Sequence, residues 1–123
     1  MRVPLVLIGV VLSACSIAGC SSSSSPSTST APSSGSVSVS IVSGSQSLST
    51  TAYNPNPITV QRGGTVTWMN NDSITHTSTS DGGAWDSHAM APGATFSMTF
   101  QTAGSFPYHC SIHPNMVGTI NVQ

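Results

Sequence analysis

Nine residues near the C-terminus, Tyr108 to Met116 (YHCSIHPNM), restrict what this chain can fold into more than any other stretch. A thiol, an imidazole and a thioether stand there as Cys110, His113 and Met116, three residues apart. One short loop can wrap all three around a single ion, and sulfur donors combined with imidazole favour copper over harder cations. A further imidazole has to come from elsewhere in the chain. His76, in NNDSITHTSTS, lies 34 positions before Cys110, too far for the same turn but suited to a neighbouring strand of a β-sandwich.

The rest of the chain from Val37 onward supports such a sandwich. Val37, Val39 and Ile41 alternate with serine, the period-two pattern of a half-buried strand. Further strands are expected at Ile58 to Gln61, at Thr65 to Asn70 after the Arg62-Gly63-Gly64 turn, and at about Thr75 to Thr79. Ala94 to Phe100, with Phe96, Met98 and Phe100 on one face, Ser105 to Cys110 and Val117 to Val122 complete the set. Short strands with regular turn signals and no useful helical periodicity indicate an all-β Greek-key sandwich of about seven to eight strands. The stretch Asp81 to Pro92 is the least regular, a long connection with room for one turn of helix.

Taken in order, NPITVQRGGTVTWMNND leading to His76, then APGATFSMTF, then Cys-x2-His-x2-Met, the sequence from about Val37 to Gln123 resembles the small blue-copper proteins of the plastocyanin/azurin (cupredoxin) family. The short ligand loop is most similar to that of amicyanin. The resemblance implies a cupredoxin-like sandwich and one type 1 copper ion held by His76, Cys110 and His113, with Met116 as the weak axial ligand. It also implies transfer of single electrons between redox protein partners. One residue departs from the pattern: many family members carry Asn directly after the first His, where it ties that loop to the Cys loop, and this chain has Thr77.

Residues 1 to 20 read MRVPLVLIGVVLSACSIAGC, one positive charge followed by an apolar run too short to span a bilayer and suited to an export signal. Ile17-Ala18-Gly19-Cys20 resembles the lipobox of bacterial lipoproteins, with Leu12-Ser13-Ala14-Cys15 as a rival. The expected organisation is a signal peptide over 1–19, a lipidated Cys20 with a Ser-rich tether over 20–36, and a copper domain over 37–123. Such a protein is exported and anchored to the cell membrane, facing the periplasm or the cell exterior. Cleavage before Cys20 leaves Cys110 as the one thiol not modified by lipid, so no disulfide forms within the domain.

Charge narrows the function classes. The chain has no Lys and no Glu, and beyond the signal its charges are Arg62, Asp72, Asp81 and Asp86. Nucleic acid is excluded as a partner, since its binding needs several cationic contacts to phosphates. No paired carboxylates, no Ser/His/Asp set and no second cluster of His stand near the metal motif, so the chain reads as a monomeric carrier and not as an enzyme. The alternative is a module that stores or delivers copper. By strand parity His109 points away from Cys110, and His88, near Asp86, reads as a solvated loop residue. Asn71 and Asp72 read as the turn that delivers His76. Pro114 and Met90 are the apolar loop residues expected to meet a partner at the metal end.

Overall fold

The structure is a computed structural model that describes residues 35–123; Cys15, Cys20 and the tether up to residue 34 lie outside the described residues, and Ser36, expected at the tether's end, is already in a strand. Eight strands form two four-stranded sheets. They are β1 (Ser36–Ile41), β2 (Tyr53–Asn54), β3 (Ile58–Val60), β4 (Thr65–Asn70), β5 (Thr79–Ser80), β6 (Thr95–Thr99), β7 (Gly104–His109) and β8 (Val117–Val122). One sheet has the order β2-β1-β4-β6 and the other β3-β8-β7-β5. After β1 and β2 the chain crosses to the second sheet for β3 and returns for β4, which is why β1 and β4 pair in parallel. The result is the Greek-key sandwich expected from the alternation.

Alternation decides which side of each strand faces inward. In β4, Val66, Trp68 and Asn70 are buried, while Thr65, Thr67 and Met69 face outward. On that outer face Thr65 and Thr67 exchange hydroxyl hydrogen bonds with Thr99 and Ser97 of β6. A connected group of aromatic rings lies within the core between the sheets. Trp68 packs against Trp85 (ring centroids 5.5 Å apart), Phe96 (5.8 Å) and Tyr108 (5.6 Å), and Tyr108 against Tyr53 (4.7 Å). Such rings give a small sandwich most of its apolar burial.

Two local expectations differ from the structure, and one helical turn lies where none was expected. No strand runs from Thr75 to Thr79: β5 is only Thr79–Ser80, and His76 instead makes an isolated bridge to Met90. The connection from Asp81 to Pro92 contains no helical turn, because Gly83 takes a left-handed φ of 75° and the segment folds back through bridges from Asp86 to Thr79 and from Met90 to His76. The helical turn occurs at Ser45–Ser47, a 3-10 turn entered through Gly44 at φ 72°, in a stretch that offered no periodicity.

Candidate metal centre

Two segments meet at one end of the sandwich. The first is the turn after β4, and its shape comes from Asn70. Buried at the strand's end, Asn70 donates through Nδ2 to the carbonyls of Ile74 (2.7 Å) and Met90 (2.9 Å), and its Oδ1 accepts the Asp72 N–H (2.9 Å). Those three bonds bend the chain so that His76 points inward, and His76 is fully buried. The second segment is the loop from β7 to β8. It closes on itself where Met116 N–H donates to the His113 carbonyl (2.9 Å) and Cys110 N–H to the Met116 carbonyl (3.1 Å).

The two segments bring three donor atoms together. His76 Nδ1 and His113 Nδ1 lie 3.1 Å apart, and Cys110 Sγ is 3.8 Å from each. Each separation is shorter than the sum of two ordinary metal bonds, about 2.0 Å to nitrogen and about 2.3 Å to sulfur, so one ion reaches all three. The donor set therefore fits copper: two imidazoles and a thiol, with the thioether of fully buried Met116 in the same loop. Cys110 is free and has no solvent exposure, and among the described residues there is no second cysteine with which it could form a disulfide. His113 alone of the three is partly exposed.

The surroundings of the thiol are built from the strand edge beside it. Thr77 N–H donates to Cys110 Sγ at 3.2 Å, a bond that holds the sulfur beside the His76 segment. Tyr53 donates its hydroxyl to the Thr77 carbonyl (2.6 Å) and so holds that peptide in place. Burial pushes the Tyr53 hydroxyl well above the usual phenol range, with the charges of Cys110 and Tyr108 adding to it, so it stays a donor.

Thr77 also replaces the tie that Asn makes in many family members. Its Oγ1 accepts the Ser111 N–H at 2.8 Å and lies 3.0 Å from the Ser111 hydroxyl, joining the His76 segment to the Cys110 loop. Thr77→Val keeps the shape and removes the acceptor of the partly buried Ser111 N–H, which costs about 0.5–1.5 kcal/mol. The expected result is a lower denaturation midpoint and faster amide exchange at Ser111. An unchanged midpoint with unchanged exchange would show that the hydroxyl tie contributes nothing.

Other residues singled out in the sequence fall outside this cluster. His109 lies on the opposite side of β7, with Nδ1 2.5 Å from Asp81, and His88 is exposed with Nδ1 3.6 Å from Asp86. Met90 is a correction. It was expected on the docking rim but is 2% exposed, because its backbone pairs with His76 in both directions and draws the side chain into the core. Pro114 is exposed as expected, and Ile112, at 48% exposure, is the large apolar neighbour of His113 that the sequence reading passed over. Asp72 is more than a turn residue: it lies 5% exposed with Oδ2 2.9 Å from His76 Nε2. Burial pushes its carboxyl up, but hydrogen bonds from His76, the Gly44 and Ser73 N–H groups and Ser45 outweigh that and hold it well below the usual carboxylate range.

Comparison with known proteins agrees with this geometry. A family profile described as copper binding proteins, plastocyanin/azurin family, matches residues 37–123. The plastocyanin of Scenedesmus fuscus is 36% identical over 84 residues, covering 58% of this chain and 86% of that protein. The amicyanin of Paracoccus denitrificans is 33% identical over 76 residues, covering 58% of each. Among solved structures, a purple cupredoxin from Nitrosopumilus maritimus superimposes with a TM-score of 0.66 at 30% identity, over 71% of this chain and 99% of that one. The chain thus belongs to the plastocyanin/azurin family of copper-binding proteins, with copper as its cofactor and copper electron transfer as the function that membership implies.

Proposed function

We propose that this protein is a type 1 copper carrier that moves single electrons between exported or membrane-bound redox proteins, using His76, Cys110 and His113 as ligands and Met116 as the weak axial donor. The observation that carries this reading is the convergence of two imidazoles and a thiol at separations one ion spans, with only one of the three reaching the surface. Copper supplies the one-electron couple between its two oxidation states. The chain supplies a fixed donor set. Asn70 holds the His76 turn, Thr77 joins it to the Cys110 loop, and Met116 closes that loop through its backbone. Donors held this firmly keep the same places in both oxidation states, which keeps the reorganisation accompanying each transfer small.

His113 is the exit for the electron in this reading, since it is the ligand beside exposed Ile112 and Pro114. A partner docks on that apolar rim. Of the acidic residues Asp72 is buried, leaving Arg62, Asp81 and Asp86 as exposed charges among the described residues. Long-range steering is then weak, and the encounter rate changes little with ionic strength. Lipid on Cys20 and the Ser-rich segment over 20–36 would hold the domain at the membrane while letting it meet partners above the surface.

The deciding experiment is an optical spectrum of the copper-loaded protein, taken before and after reduction. The expected result is an intense visible thiolate-to-copper band that bleaches reversibly while copper stays bound. A colourless site, or one that releases copper on reduction, would favour storage or delivery of copper instead.

A further inference from the structure

A buried carboxylate is costly unless its charge is fully answered by hydrogen bonds, and Asp72 is answered on both oxygens. Oδ1 accepts the N–H groups of Gly44 (3.1 Å) and Ser73 (2.7 Å), and Oδ2 accepts the N–H (3.2 Å) and hydroxyl (3.1 Å) of Ser45. Gly44 and Ser45 belong to the 3-10 turn after β1, more than 25 residues away in sequence, since the bonded pairs are separated by 27 and 28 positions. The chain therefore brings a remote segment to the end of β4 and turns its donors onto this one side chain. What remains of Oδ2 faces the Nε2 of His76 at 2.9 Å.

That contact settles which nitrogen of His76 carries the proton. A carboxylate only accepts hydrogen bonds, so Nε2 must be the N–H, and in a neutral imidazole the other nitrogen is then bare. The bare nitrogen is Nδ1, the atom that faces His113 and Cys110. Ser45 Oγ, 3.0 Å from the same Nε2, donates its own hydrogen to Asp72 and leaves the imidazole proton to the carboxylate. Among the described residues, no such partner faces the Nε2 of His113, so the two imidazoles differ: one is locked from behind and the other is not.

We propose that Asp72 is a positioning residue of the copper centre, fixing the His76 tautomer and orientation and biasing the site toward the oxidised ion. The second effect follows from charge. A carboxylate hydrogen-bonded to a metal-bound imidazole raises the basicity of that ligand, and its full negative charge, screened little in a buried site, favours the more positive oxidation state. This inference rests on the copper reading of the site. It adds a residue that touches neither the metal nor a partner and yet sets the balance between the two oxidation states.

The test combines Asp72→Asn in the copper-loaded full-length protein with a measurement that needs no variant. The expected result for Asp72→Asn is an unchanged ligand set, read as a retained thiolate-to-copper band, with the ratio of Cu(II) to Cu(I) affinity lowered at least tenfold. For a one-electron couple that is a rise in reduction potential of about 59 mV. In the metal-free parent protein, 15N NMR of the His76 ring is expected to show protonated Nε2, with its proton protected from exchange. A potential unmoved by Asp72→Asn in a protein that is blue would overturn this proposal and leave the carrier reading standing. Should Asp72→Asn not fold, the ring measurement decides, because a ring protonated on Nδ1 and bare on Nε2 overturns the proposal by itself. A parent protein that binds copper without the band removes the carrier reading, and the tautomer then tells whether Asp72 positions His76 regardless.

Discussion

Cys110→Ser is expected to abolish the thiolate-to-copper band entirely and to lower copper affinity by more than the 10–100-fold that loss of an outer hydrogen-bond partner typically costs a metal site. The thiol lies 3.8 Å from each imidazole nitrogen and directly follows β7, the strand that carries Tyr108. A serine hydroxyl at that place stays protonated at neutral pH and offers a harder donor, so both the selection for copper and the colour are lost. The fold itself should survive. Serine can accept the Thr77 N–H that now reaches the sulfur, and burying a hydroxyl in place of a thiol costs about 1–3 kcal/mol. Metal titration followed by absorbance, with circular dichroism as the control for folding, separates the two effects. A variant that stays folded and keeps the band would place the thiolate ligand somewhere other than Cys110.

The residues that converge, His76, Cys110 and His113, could be read in the sequence because metal chemistry leaves a local pattern. Cys110, His113 and Met116 sit within one loop, so their spacing alone brings them close, and His76 follows once two strands are assumed to lie side by side. The long strands were legible for a similar reason: β4 and β8 alternate outward and buried positions over their whole length, and Val66 and Trp68 in the one and Ile120 and Val122 in the other stand at the buried places. By contrast β2 and β5, of two residues each, are too short to show a period. They exist because neighbouring strands offer them free edges.

What the sequence hid are contacts between remote segments. Asp72 looks like a turn residue until the Gly44–Ser45 turn is brought against it, and nothing in SGSQS announces that its donors will face a carboxylate 27 positions later. Met90 looked like a surface residue because Ala91, Pro92 and Gly93 follow it, and all three are exposed. Its two backbone bonds to His76 turn it inward. Thr77 was visible as a departure from the family pattern, and the structure shows that a hydroxyl reaches Ser111 in place of the amide. Each case is a polar contact across the chain, for which composition and periodicity carry no signal.

Gly118→Ala should produce the largest loss of stability of any single methyl added to this domain near the site. Gly118 is the residue of β8 directly opposite Tyr108 of β7, and it does not need its freedom for an unusual backbone angle; it needs the absence of a side chain. A Cβ there would fall 2.5 Å from the Tyr108 Oη, 2.6 Å from Cε1 and closer still to Cζ. The ring has no room to retreat, since it is packed between Tyr53, Trp68 and Trp85 and is 1% exposed. Overpacking of this kind costs about 3 kcal/mol, at the top of the usual range, and a change of that size lowers the melting temperature of a domain of this length by roughly 12–24 °C. The displacement should also reach the metal centre, because Tyr108 stands two residues before Cys110, which directly follows β7. Thermal denaturation with and without copper measures both consequences. If the clash is the cause, Gly118→Ala costs much less when Tyr108 is already leucine, and this coupling distinguishes it from a general weakening of β8. Tyr108→Phe is the control. It removes a hydroxyl that has no hydrogen-bond partner but leaves the ring in the way, so it should be tolerated alone and should not rescue Gly118→Ala. Equal losses in the tyrosine and leucine backgrounds would mean that Gly118 is there for some reason other than the ring lying over it.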